Sequence, residues 1–217
     1  MYIRVKNASK NIKSATVLQN INLDLRGGMV YGLQGPNGSG KTMLLRLIAG
    51  LIRPTSGSVV VDGKQLGKDI DFPPSMGLLI ENPAFLPNHT GFKNLELIAD
   101  IQRRIGKEGI ARSLSDVGLD PEDKRKYRKF SLGMKQRLGI AAAIMEKPDL
   151  ILLDEPTNSL DEAGTEQICR LIQTECNRGA LIILASHDSN LLEGIADKIY
   201  TIHEGTLQGK APGSTFE

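Results

Sequence analysis

Residues 35–42 read GPNGSGKT, and glycines, a lysine and a threonine at this spacing suit one chemistry, the cradling of a phosphate chain. Gly38 and Gly40 let the backbone turn its N–H groups inward with no Cβ in the way. Gly35, Pro36, Asn37 and Ser39 complete the loop. Lys41 would reach the β- and γ-phosphates, and the Thr42 hydroxyl would ligate Mg²⁺. A chance glycine turn is the competing explanation, and ordinary residue frequencies give such a match in a chain of this size about one time in a hundred. The flanks lower that further: VYGLQ at 30–34 reads as a strand and MLLRLIAG at 43–50 as a helix, the context the loop requires.

A second constellation lies at 149–161, DLILLDEPTNSLD. Two acids end an apolar strand, and sites in parallel sheets form at the strands' carboxyl ends, so Asp154 and Glu155 are expected beside the phosphate loop. Asp154 suits a magnesium ion, which takes few carboxylates and otherwise phosphate and water. Glu155 is then free to orient or deprotonate the attacking water. His187 follows the apolar run ALIILAS at 180–186 and would emerge on the same edge. A neutral imidazole there can hydrogen-bond a terminal phosphate or the attacking water. Acids that merely punctuate a surface, and a surface histidine, are the alternatives for each residue taken alone.

A third stretch is harder to place. FSLGMKQRLGIAAAI at 130–144 opens a helix with Lys135, Gln136 and Arg137 in its start. Positive charge is disfavoured at a helix N-terminus, where the dipole already presents about half a positive charge. Such a start makes sense if an anion visits, although the anion cradle lies elsewhere.

The elements that position these residues follow from hydrophobic pattern. Tyr2–Val5, Thr16–Leu18, Ile21–Leu25 and SVVVDG at 58–63 alternate with Gly or Asn turns, as in a small antiparallel layer. VYGLQ, MGLLI at 76–80, LILLD at 150–154 and ALIILAS read as strands buried on both faces of a parallel sheet. Between 83 and about 147 no strand is expected; FKNLELIADIQRRI and IARSLSDVGL have helical spacing. The chain therefore divides into 1–82, a nucleotide-binding core with the antiparallel layer; 83–137, an inserted helical subdomain; and 138–217, the rest of the core. The tail EGTLQGKAPGSTFE is expected to fray.

The 217 residues suffice for a sizeable core, and a net charge of +2 gives no global reason to expect nucleic acid. An aromatic content of 4% with no Trp argues against a base-stacking surface. The cluster KRKYRK at 124–129 reads as a solvated face, with anionic headgroups or an acidic partner as the functional alternative. The start MYIRVKNASK has no apolar core of a secretory signal, and no apolar run approaches the roughly 18 residues of a spanning helix. Cys169 and Cys176, seven apart on a predicted helix, sit about 10 Å apart, too far for a disulfide, which suggests a reducing compartment.

Taken in order, GPNGSGKT, FSLGMKQR, LILLDEPTNSLD and ASHD resemble the nucleotide-binding subunit of ABC transporters, over residues 2 to about 206. The resemblance implies a phosphate-loop NTPase core of α/β class carrying an N-terminal antiparallel β layer and an inserted helical subdomain. It implies ATP and Mg²⁺ as ligands, and a head-to-tail dimer, most simply of identical chains, with two ATP between the subunits. Ser131 and Gly133, with the helix they open, would hold the γ-phosphate of the partner's ATP, which gives the odd helix start a purpose. Asp161 looks like the residue of the loop that crosses the dimer interface, His187 like the switch histidine and Glu155 like the catalytic glutamate.

Two positions depart from the family pattern. Ile12 stands where many members stack an aromatic ring on adenine, leaving an apolar contact without stacking. Glu81 stands where the family has glutamine; ionised glutamate only accepts hydrogen bonds, so a changed metal dependence is expected. LIENPAFLPNHTGFKNL with SLGMKQRLGIA is similar to the drug- and peptide-antibiotic-export branch, including bacitracin and lantibiotic self-protection ATPases. Many of those relatives continue further, and no C-terminal regulatory domain is expected here. The expected partner is a separate transmembrane permease, met through residues 82–100, with the chain peripheral on the cytoplasmic face of the membrane and no nucleic-acid partner. A soluble ATPase of the same superfamily without a permease is the alternative, and a small-molecule kinase would leave FSLGMKQR without a role.

Overall fold

The computed structural model describes residues 1–81 and 83–208. Two sheets organise it. The first is antiparallel in the order β2-β1-β4-β5, built from β1 (Tyr2–Ile12), β2 (Ala15–Arg26), β4 (Ser56–Val61) and β5 (Lys64–Gln65). The expected short strands and turns of this layer are in fact two long strands. Asn7 and Asn20, read as turn residues, sit at left-handed φ values of 46° and 48°, and the β1–β2 pairing shifts register between Val5 and Ala8. Asparagine tolerates that conformation, so the chain bulges and continues rather than turning.

The second sheet has the order β10-β9-β3-β8-β7-β6. Its strands are β3 (Met29–Gln34), β6 (Met76–Leu79), β7 (Leu150–Asp154), β8 (Leu181–Ser186), β9 (Lys198–His203) and β10 (Thr206–Gln208). The pairs β6–β7, β7–β8, β3–β8 and β3–β9 are parallel, and β10 runs antiparallel to β9. The four apolar runs lie side by side in parallel as expected, β3, β8 and β7 buried within the sheet and β6 half-buried at its edge. Alternate residues of one strand serve two cores: Leu150 and Leu152 face the core shared with β1 and β2. Ile151 and Leu153 face the core shared with the helices. That two-sided burial is why these strands read as continuous apolar runs. Truncating fully buried Leu153 to Ala would cost about 2–5 kcal/mol.

β9 and β10 were not expected. Lys198–Ile202 is only partly buried along most of its length, so its apolar signal is weak. The expected fraying of EGTLQGKAPGSTFE fails in its first residues, because Glu204 and Gly205 form a tight turn that returns Thr206–Gln208 to pair with β9. Residues 209–217 of that tail, and residue 82 at the expected subdomain boundary, lie outside the described residues.

The helices are α1 (Lys41–Ile48), α2 (Gly91–Gln102), α3 (Lys107–Asp116), α4 (Leu132–Ile144), α5 (Glu162–Asn177) and α6 (Ser189–Ile195). No strand element falls among the described residues between β6 and β7. Side-chain caps set most of the helix starts: Thr90 accepts from Lys93 N–H, Ser131 from Met134, Asp161 from Gly164, and Asp188 from Asn190 and Leu191. Each satisfies one or more N–H groups that an α-helix leaves without internal partners. α1 follows Gly40 with no side-chain cap. Cys169 and Cys176 are free thiols on α5.

Candidate nucleotide site

The phosphate loop links β3 to α1 and borders a cavity of about 740 Å³ lined by Pro36, Asn37, Gly38, Gly40, Lys41 and Thr42. Gly35 and Ser39 form the underside. Ser39 is buried at 5% exposure, and its Oγ has no partner within the chain. Lys41 is equally buried; its Nζ donates to Gly35 O at 2.6 Å and Pro36 O at 3.2 Å. The uncapped first turn of α1 leaves backbone N–H groups open to an anion, with the helix dipole favouring negative charge there.

β7 delivers both carboxylates to the same cavity. Asp154 Oδ2 accepts from Thr42 Oγ1 at 2.6 Å. Burial pushes the Asp154 carboxyl above its ordinary range; the Thr42 hydrogen bond opposes this, and the carboxylates of Glu155 and Glu81 add to it. Glu155 holds a left-handed φ of 48°, a strained conformation for this residue, pinned by its N–H donating to Ala185 O at 2.8 Å. Its Oε1 stands 3.7 Å from Lys41 Nζ and is buried without a hydrogen-bond partner. Its Oε2 lies 2.9 Å from His187 Nδ1 and 3.3 Å from Ser186 Oγ. The site thus pairs a lysine and an uncapped helix start, both suited to phosphate, with a carboxylate oxygen whose hydrogen-bonding capacity is unused.

Glu81 also lines the cavity, at a left-handed φ of 59°, and accepts from Arg46 of α1 at 2.6 Å. Ile12, at the end of β1, lies outside the cavity lining; Thr16 and Val17 of β2 line it instead, together with Glu204 and Gly205 from the β9–β10 turn. No local motif marks these four residues; the fold of the two sheets brings them there.

α4 starts after Ser131 as read from the sequence, and its first polar side chains are engaged within the chain. Gln136 is buried and donates to the Glu155 carbonyl at 3.0 Å, lining the cavity of its own chain. Arg137 donates to the Val117 carbonyl and to Gln167 Oε1 at 2.9 Å, and sits 3.7 Å from Asp161. Lys135 lies 5.3 Å from the Tyr127 ring centroid. Gln136 and Arg137 therefore pack and tether the helix start within the chain. Ser131, Gly133 and Asp161 lie outside the cavity, with Ser131 and Asp161 acting as helix caps. Gly133 is required for packing: a Cβ there would stand 2.7 Å from Ser159 O, in the loop after β7. Leu132 beside it is 70% exposed. In the basic cluster, Lys124 and Arg125 pair with Glu122 and Asp123, and Tyr127 is buried, its hydroxyl donating to Pro83 O. That face is partly neutralised rather than uniformly positive.

The comparisons agree with this geometry. Residues 18–158 match the ABC transporter family. The ABC transporter ATP-binding protein YybJ of Bacillus subtilis is 48% identical over 95% of this chain and 94% of its own. The bacitracin transport ATP-binding protein BcrA of Enterococcus faecalis is 40% identical over 94% of this chain and 67% of its own. The lantibiotic transport ATP-binding protein SrtF of Streptococcus pyogenes is 35% identical over 94% and 88%. The dimeric ATP-binding cassette MJ0796 in a post-hydrolysis state with ADP and Pi superposes with a TM-score of 0.87 at 25% identity, over 98% of this chain and 100% of that one. The chain belongs to the ABC transporter family, as one of its ATP-binding proteins.

Proposed function

We propose that this chain is the ATP-hydrolysing subunit of an exporter, working as a head-to-tail dimer that drives a separate membrane permease. The observation that carries the reading is the division of the motifs. Lys41, Thr42, Asp154 and Glu155 share one cavity, with His187 touching Glu155, whereas Ser131, Gly133 and exposed Leu132 are not among its lining residues. A second copy supplies the anion for that outlying helix start, and this chain supplies the same to the copy. Lys41 and the α1 N-terminus hold the triphosphate, Glu155 takes or orients the proton of the attacking water, and His187 holds Glu155 in place.

The donor set suits Mg²⁺. Thr42 Oγ1 and Asp154 Oδ2 are hard oxygens 2.6 Å apart, and among the described residues no group of three His, Cys, Asp or Glu forms a fuller metal cage, as expected for an ion completed by phosphate and water. Bound there, the ion neutralises phosphate charge.

No helix among the described residues is long and apolar enough to cross a membrane, so a translocation path belongs to another chain. The docking face we assign to that permease includes exposed Leu86 and the α2 residues Leu97, Ile98 and Ile101, next to the loop that holds Glu81. On this reading the chain works at the cytoplasmic face of the membrane, where ATP is. The relatives named for bacitracin and lantibiotic transport support a drug, a peptide antibiotic or a similar molecule as the exported substrate. The test is to recover the tagged chain from detergent-solubilised membranes of its native cell. Co-purification of a multi-span permease whose presence raises ATP hydrolysis supports the reading; a chain found only with soluble proteins contradicts it.

A further inference from the structure

The β9–β10 hairpin turns on Glu204 and Gly205, at left-handed φ values of 47° and 74°, with His203 paired to Thr206 across it. Two-residue turns of this hand favour Asn, Asp and Gly. Glutamate in that conformation is uncommon, and such outliers persist where the surroundings hold them. Here the surroundings are the nucleotide site. Gly205 N–H donates to Ser39 O at 2.8 Å, and Gly205 O accepts from Gln19 N–H at 2.8 Å. A Cβ on Gly205 would stand 2.6 Å from Val17 O. The turn is thus clamped between the phosphate loop and β2, and Glu204, exposed to solvent, is fixed at the cavity wall with Thr16 and Val17.

Strand order tells which part of the nucleotide meets it. β9 and β7 lie on opposite sides of β3, with β8 between β3 and β7. At about 4.8 Å per strand, the turn after β9 is about 14 Å across the sheet from the end of β7. The β7 end carries Asp154 and Glu155 and takes the terminal phosphate. The nucleoside therefore lies toward Thr16, Val17 and Glu204. A carboxylate repels phosphate but accepts hydrogen bonds from hydroxyls, and a vicinal diol can give it two. We propose that Glu204 binds the ribose 2′- and 3′-hydroxyls and makes this site selective for the sugar of the nucleotide.

The inference rests on the cavity holding an adenine nucleotide, and equilibrium binding separates the two claims. The probes are ADP, 2′-deoxy-ADP and 3′-deoxy-ADP, which bind without hydrolysis. The full chain should prefer ADP to either deoxy analogue by about tenfold, the worth of one charge-assisted hydrogen bond. Glu204→Asn, which suits the left-handed turn but is too short to keep the contacts, should cost ADP both hydrogen bonds and each analogue the one it retains, so that ADP loses more than either and all three bind alike. Equal affinities in the native chain, a preference that survives in Glu204→Asn, or an equal loss for all three probes would overturn the assignment. Absence of binding by any probe would overturn the nucleotide reading as well.

Discussion

His187 Nδ1 lies 2.9 Å from Glu155 Oε2, joining the loop after β8 to the strained residue that ends the β7 motif. The other Glu155 oxygen is buried and unpartnered beside Lys41. One oxygen is thus oriented by His187, while the other keeps its hydrogen-bonding capacity unused beside Lys41. Positioned proton transfer is worth about 10²–10⁴-fold. Glu155→Gln should lower phosphate release by at least about 100-fold, and His187→Ala should lower it by a similar order. Both should keep nucleotide affinity within about threefold. A large loss of binding with unchanged turnover of bound ATP would contradict these roles.

Asp154 illustrates a site that opposes stability. Its carboxyl is pushed up mainly by burial, so the folded state favours the protonated form. The sign follows: the contribution is present below the unfolded carboxyl value and lost as pH rises through the raised folded value. At neutral pH the ionised group therefore destabilises the nucleotide-free chain. Asp154→Asn should raise the nucleotide-free Tm by about 2–4 °C for each kcal/mol recovered and abolish any further Tm gain from adding Mg²⁺ with ATP. A Tm that falls would count against it.

Arg137 ties three helices through the Val117 carbonyl, Gln167 and Asp161. Hydrogen bonds from charged donors are worth about 1.5–3 kcal/mol each, and removal leaves a carbonyl without a partner. Arg137→Ala should lower Tm by about 5–10 °C, seen by calorimetry. A loss below about 2 °C would show that the tether is not structural.

Gly133→Ala sets two effects against each other. Helix propensity favours Ala by about 1 kcal/mol, whereas the new Cβ would meet Ser159 O at 2.7 Å. Backbone contact at that distance should win, so Tm should fall despite the better helix former. A rise in Tm would mean that the loop after β7 moves aside at no cost.

What the sequence disclosed was the local part of the site. GPNGSGKT and the acids closing LILLD are contiguous, and each is flanked by the element that aims it. Thr16, Val17 and Glu204 were not legible, because each is an ordinary residue of a strand or turn and only the meeting of two sheets gives it a place in the cavity. β9 was missed because its side chains are half-buried and carry little periodic signal. The roles of Gln136 and Arg137 were not legible because their partners, the Glu155 and Val117 carbonyls, lie 19 and 20 residues away in sequence. Ile12, expected against the base, is not among the residues that line the cavity, whereas Thr16 and Val17 are.

The head-to-tail assembly is tested most directly by size exclusion of Glu155→Gln with Mg²⁺ and ATP. The account predicts a monomer without nucleotide and a dimer with ATP, lost when Ser131→Arg is added, because Ser131 of one copy meets the ATP of the other. A Glu155→Gln chain that binds ATP and stays monomeric at every concentration tested would contradict it.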